Sequence, residues 1–153
     1  MFKKLKADKK RHDSGRKGAA LVEAALVLPV FFLVIMGVVE FGRALTVSQL
    51  VTNAAREGAR RSVLDGATNT DVETYVRDIL SDPLHITNTD VIAVTITITP
   101  ATGNTTTGDN LADAQMDDQI KVEVSVPYNE VALAAGHWMN GKNISGESTM
   151  RRE

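Results

Sequence analysis

Residues 24–39, AALVLPVFFLVIMGVV, form an apolar run of sixteen residues with no charged or strongly polar side chain. As a helix rising about 1.5 Å per residue the run covers about 24 Å. That is short of the roughly 30 Å hydrocarbon core of a bilayer. Counting back to Gly18 gives twenty-two residues and a length of about 33 Å, which is a full crossing. The longer segment takes in Glu23, a carboxylate near the front of an otherwise apolar helix. Pro29 is tolerable inside such a helix, because packing neighbours can satisfy the carbonyl it frees.

Charge gives the segment a direction. Residues 1–17 carry eight Lys/Arg (Lys3, Lys4, Lys6, Lys9, Lys10, Arg11, Arg16, Lys17) against Asp8 and Asp13, a net of +6, and the remaining 136 residues carry −8. Basic flanks stay in the cytoplasm, so residues from about 42 onward are expected outside it. A nucleic-acid-binding arm is the rival for the basic stretch. It is the weaker reading, because the arm runs straight into the apolar segment without interleaved aromatics, and no nucleic-acid partner is expected. A cleaved secretory signal is weaker too: its nearest small-x-small site, Gly42-Arg43-Ala44, has Arg at its centre, and the helical pattern runs on through it.

The chain has no cysteine among its 153 residues, which excludes disulfides, thiolate metal sites and cysteine nucleophiles. Its histidines, His12, His85 and His137, fall in the arm and in two loops, in no nucleophile or zinc spacing. Asp109, Asp113, Asp117 and Asp118 crowd one loop but lack the alternating ligand spacing of an EF-hand, so a solvated acidic loop outweighs a calcium site. His137-Trp138 reads as packing. No catalytic residue, metal ligand or cofactor site stands out, and an enzyme is not expected.

Past the apolar run the helical pattern continues to about Leu64, with Phe41, Ala44, Leu45, Ser48, Thr52, Ala55 and Ala59 as the expected inward face. Ala54, Ala55, Gly58 and Ala59 leave room for close packing, and Arg56, Glu57, Arg60 and Arg61 read as a solvated face. Asp65-Gly66-Ala67-Thr68-Asn69 is a stop and a turn. A second helix, capped by Thr70 or Asp71, runs to about Leu80 with Val72, Tyr75, Val76 and Ile79 inward, and Asp82-Pro83 ends it. The period then changes to two. In residues 91–99, Ile92, Val94, Ile96 and Ile98 oppose Ala93, Thr95, Thr97 and Thr99. In residues 119–127, Ile120, Val122, Val124 and Val126 oppose Lys121, Glu123 and Ser125. Both read as half-buried strands, and residues 143–150 as a weaker third. Residues 100–118 read as a long exposed loop with little to bury. The expected fold class is α+β: a long N-terminal helix, membrane-spanning in its first half, packed on a small antiparallel sheet of about three strands.

The order of the N-terminal pieces carries a resemblance. A basic arm, Lys17-Gly18, four small or apolar residues, Glu23 and an apolar helix resemble the leader of type IV pilin-like proteins. With "ALVEAALVLPVFFLVIMGVVEFGRA", "NAAREGARRSV" and the closing "STMRRE", the chain most resembles the TadE-like family of the tight-adherence (Flp) pilus system. The resemblance implies that a prepilin peptidase removes a leader, residues 1–18, by cutting between Gly18 and Ala19. It makes Glu23 an assembly residue, residues 19–41 a transmembrane helix and residues 42–153 an extracytoplasmic domain. It implies a bacterial inner (cytoplasmic) membrane protein, single-pass, whose partners are the prepilin peptidase, other pilins and pseudopilins, and membrane lipid, with incorporation into a surface pilus as one destination. The major Flp pilin is little more than a helix, with Glu-Tyr at the motif. Here the pair is Glu23-Ala24 and roughly 90 residues follow the helix, enough for a small domain, so a minor pilin fits better. The alternative is a single-pass protein whose outer domain binds some other ligand or protein.

Glu23 has two readings. In one it is a polar residue at the inner headgroup boundary. In the other, cutting after Gly18 leaves an ammonium at Ala19, one turn from Glu23 on the same face, and the two charges pair within a subunit or between neighbours. The resemblance favours the second.

Overall fold

A computed structural model describes residues 11–132 and 141–153, with side chains from residue 18 onward. The lysines of residues 3–10 and the pair His137-Trp138 lie outside the described residues, as do the side chains of Arg11, His12, Arg16 and Lys17. The chain divides into two units, Met1–Val39 and Glu40–Glu153. Helix α1 (Arg11–Ser62) runs unbroken through both, with Pro29 inside it. It ends two residues before the expected Leu64, where the Ser62 hydroxyl donates to the Ala59 carbonyl at 2.7 Å and Gly66 turns the chain at φ +77°.

The second unit is α+β, as expected. Strands β1 (Ala93–Thr99), β2 (Gln119–Pro127) and β3 (Asn143–Arg151) form an antiparallel sheet in the order β1-β2-β3. The registers align Val94, Val124 and Gly146, then Ile96, Val122 and Ser148, then Ile98, Ile120 and Met150. These rows make the inner face, and the Thr, Lys and Glu rows face away. Ile92, expected within the first strand, instead follows a 3-10 turn (Thr89–Val91) and is fully buried.

The inward face of α1 is rotated from the expected one. Ala44, Val47, Val51, Ala54, Ala55, Gly58, Ala59 and Ser62 are buried, whereas Phe41 and Leu45 are exposed and Ser48 and Thr52 only half-buried. Close approach decides this. The branched side chains of β2 need a facing helix surface of small residues, and the Ala/Gly stripe supplies it. At Gly58 a β-carbon would lie 2.7 Å from Val76 Cγ2 and 3.2 Å from Val122 Cγ1. At Gly146 of β3 it would lie 2.8 Å from the backbone N and Cα of Thr52.

Helix α2 (Asn69–Leu84) starts earlier and ends later than expected. Thr68 is the cap, its hydroxyl oxygen accepting from the Asp71 N–H at 3.2 Å. Pro83 sits in the last turn instead of stopping the helix before it. Two bonds then close the end, His85 N–H to Asp82 O at 3.2 Å and Ile86 N–H to Ser81 O at 3.1 Å. His85, left-handed at φ 57°, thus serves a helix cap that glycine usually fills. The buried stripe is Val72, Val76, Leu80 and Leu84, with Tyr75 and Ile79 at its edge. Arg61 is exposed but not merely solvated: its guanidinium lies 4.4 Å from the centre of the Tyr75 ring.

Residues 100–118 are not the exposed, featureless loop that their composition suggests. Leu111 is fully buried in a 3-10 turn (Leu111–Asp113). Asp118, also fully buried, accepts from the Thr106 hydroxyl (2.6 Å), Asn104 Nδ2 (2.6 Å), and the N–H groups of Gln115 (2.8 Å) and Ala101 (2.9 Å). The Thr106 hydrogen bond leads in holding this carboxyl well below the usual range; burial opposes it, and the Asn104 and backbone bonds assist. The other acidic residues are spent on the fold as well. Asp109 accepts from the Ile98 N–H at 2.9 Å, Asp113 from Asn110 at 3.1 Å, and Asp117 lies 3.7 Å from Arg151. Arg152 donates to the Leu111 carbonyl at 3.0 Å, so the closing residues clamp the loop.

Gly146→Ala forces a methyl group into the Thr52 backbone and should cost about 1–3 kcal/mol, the usual range for overpacking. Gly58→Ala also clashes, 2.7 Å from Cγ2 of the stiff, fully buried Val76, but it meets side chain and not backbone and gains up to about 1 kcal/mol of helix propensity, so its loss should be smaller. Urea unfolding of both variants in detergent, followed by circular dichroism, checks the order. An unchanged midpoint for Gly146→Ala would contradict the close approach.

Candidate functional site

Along residues 18–39 the side chains of α1 are exposed on every face, Gly37 alone being half-buried. Leu21, Leu26, Val30, Phe32 and Val38 are each more than 60% exposed. A helix that is apolar all round cannot be covered by packing on one side. This is the one helix, among the described residues, long and apolar enough to cross a membrane.

Gly18, Ala19 and Glu23 all lie on this helix and are exposed. Ala19 and Glu23 are one turn apart on one face, the spacing at which helix side chains meet. A β-carbon at Gly18 would find nothing within 4 Å, so packing within the chain does not ask for glycine there. A glycine in a helix interior costs roughly 1 kcal/mol relative to alanine. Among the described residues the Glu23 carboxylate has no hydrogen-bond or ion-pair partner. The structure therefore places Ala19 and Glu23 one turn apart on the helix, while among the described residues no contact uses Gly18 or Glu23.

A second polar cluster, missed in the sequence, lies where α1 enters the folded unit. Tyr128, fully buried in a 3-10 turn (Tyr128–Glu130) directly after β2, donates its phenol hydrogen to Glu40 Oε1 at 2.6 Å. One turn on, Arg43 Nε donates to the Val131 carbonyl. Burial pushes the Tyr128 phenol up to about 12; the hydrogen bond to Glu40 and its negative charge add to this, and Arg43 opposes it. The available signal was two charges, Glu40 and Arg43, spaced i,i+3 just past an uncharged run. Nothing in the sequence points to Tyr128 as the partner of Glu40, 88 positions away.

The linkage has a sign. A phenol whose folded value is raised adds stability that is fully present below its unfolded value, about 10. That stability is lost as pH rises through the folded value, about 12. In Tyr75→Phe, which leaves Tyr128 as the remaining tyrosine of two, phenolate absorbance should appear with a midpoint near about 12. Adding Glu40→Gln should move that midpoint down. A midpoint near about 10, the unperturbed value, in the folded Tyr75→Phe chain would contradict the buried pair.

The family model described as TadE-like protein matches residues 18–60. No curated protein and no solved structure matches the chain. The match begins at Gly18 and ends within α1, so it takes in Glu23, the apolar segment, Glu40, Arg43 and the Ala/Gly stripe, but not the sheet or residues 148–153. The resemblance read in the helix is thus matched there: residues 18–60 are similar to the TadE-like protein family.

Proposed function

We propose that the protein is a minor pilin (pseudopilin) that takes part in assembling a tight-adherence (Flp-type) pilus, and hence in surface adhesion. It is inserted as a prepilin with residues 1–18 in the cytoplasm, and prepilin peptidase cuts between Gly18 and Ala19. Residues 19–41 then hold it in the inner membrane with residues 42–153 outside. It is a structural component and not an enzyme. The observation that carries this reading is the family match starting at Gly18, on a helix where Ala19 and Glu23 share a face and no described residue partners Glu23.

The chemistry is ion pairing in a medium that penalises lone charges. An acidic side chain at bilayer depth costs about 2.5–3.5 kcal/mol at the helix centre and less near the interface. Cutting after Gly18 creates an ammonium at Ala19. Glu23 pairs with it, in the same subunit or in the next, and the pairing offsets the cost and makes association selective.

Glu23→Ala should insert at least as well as the wild type and leave the outer core (Ile96, Val122 and their neighbours) intact. Its association with other pilins should fail, because truncating one member of a desolvated pair costs about 3–5 kcal/mol. Glu23→Gln keeps the shape without the charge and should behave like Ala. Crosslinking to other pilins and surface piliation, at matched protein levels, measure the effect. Normal association in both variants would return Glu23 to the reading of a boundary residue.

A further inference from the structure

We propose that the outward face of α1 at Phe41 and Leu45 is seated in the lipid headgroup region, so that the membrane contact of this helix does not end with the apolar run but extends into the folded unit Glu40–Glu153. The proposal rests on the reading of residues 19–41 as the membrane anchor, and it carries the membrane contact one turn further, to Leu45.

Phe41 is 66% and Leu45 54% exposed, and at i,i+4 they share a face. Exposed large apolar side chains next to a span apolar all round call for a cover, and the span's own cover is lipid. The polar groups nearby are compatible with that cover. Between residues 24 and 55 the chain has two charged residues, Glu40 and Arg43, and both are turned inward. Glu40 accepts from Tyr128, and Arg43 donates to the Val131 carbonyl. Thr46, exposed one turn beyond Gly42, donates its hydroxyl to the Gly42 carbonyl at 3.0 Å. A hydroxyl bonded back to its own helix enters a region of low dielectric without an unmet donor. Farther along, the exposed positions turn polar at Gln49, Asn53 and Arg56.

Length agrees with chemistry. Gly18 to Leu45 is 28 residues, about 42 Å of helix. That spans the roughly 40–45 Å of a bilayer with its headgroup layers, whereas residues 18–39 account for the hydrocarbon alone. A second copy of the helix is the competing cover for Phe41 and Leu45. Lipid is favoured because the exposed apolar positions continue along α1 from the span, and the two charges of this stretch, Glu40 and Arg43, are engaged by Tyr128 and Val131.

The absence of cysteine makes the test direct. Full-length single variants Val34→Cys, Phe41→Cys, Leu45→Cys and Asn53→Cys are labelled with an environment-sensitive fluorophore and reconstituted in phosphatidylethanolamine–phosphatidylglycerol vesicles. Labels at 41 and 45 should be blue-shifted and lose most of their emission to a lipid spin-labelled near its headgroup. The label at 34 should be quenched best by a spin label deeper in the chain, and the label at 53 by aqueous iodide. The proposal fails alone if labels at 41 and 45 behave like the label at 53 while 34 stays in lipid. It fails in favour of a second copy if Leu45→Cys chains crosslink through residue 45 and lipid does not quench there. If the label at 34 is itself aqueous, the anchor reading falls and takes this proposal with it.

Discussion

The folded unit depends on how closely a sheet can approach one helix. Two contacts set that distance. Gly146 of β3 meets the backbone of Thr52 with no room for a β-carbon, and Gly58 of α1 leaves room only for the tips of Val76 and Val122. Ala54, Ala55 and Ala59 complete a stripe with little side chain to keep the sheet away. The larger volume comes from the other side of the interface: Ile120, Val122, Val124 and Val126 of β2, all fully buried. Close packing of this kind tolerates little change in volume, so the position of α1 on the sheet is tightly specified.

The same helix serves two solvents. In residues 18–39 apolar side chains point everywhere, and beyond them the buried positions narrow to one face. At the change, Glu40 and Arg43 would be costly if left at a membrane boundary without partners. Both are satisfied at one corner of the domain, by the phenol of Tyr128 and the carbonyl of Val131. The corner itself is held by the N–H of Tyr128, which donates to the Lys142 carbonyl at 2.9 Å, linking the end of β2 to the start of β3.

Much of this is legible in the sequence because it is periodic. Alternation in residues 119–127 predicts β2 to the residue, and the apolar run predicts a helix long and apolar enough to cross a membrane. Periodicity misplaces the inward face of α1 at Phe41 and Leu45, since a pattern of large apolar residues overlooks a stripe built mostly of Ala and Gly. Composition misjudges residues 100–118, because it registers Asp, Thr and Asn as polar without registering that they can satisfy one another. Asp118 collects four donors from residues 3 to 17 positions away, and that convergence exists only in three dimensions. Glu40 with Tyr128 is hidden for the same reason. Gly18 and Glu23 are legible through resemblance and not through contacts among the described residues.

Among the described residues the Glu23 carboxylate has no hydrogen-bond or ion-pair partner, and a β-carbon at Gly18 would meet nothing within 4 Å; we propose a use for both outside the fold. We assign that use to maturation followed by assembly, and maturation comes first. The most direct measurement is therefore the N-terminal sequence and intact mass of the wild-type protein, purified from cells that contain a prepilin peptidase. The expected result is a chain that begins at Ala19, and a full-length precursor that accumulates in the membrane for Gly18→Val. A wild-type protein that still carries residues 1–18 in those cells would contradict the proposed maturation.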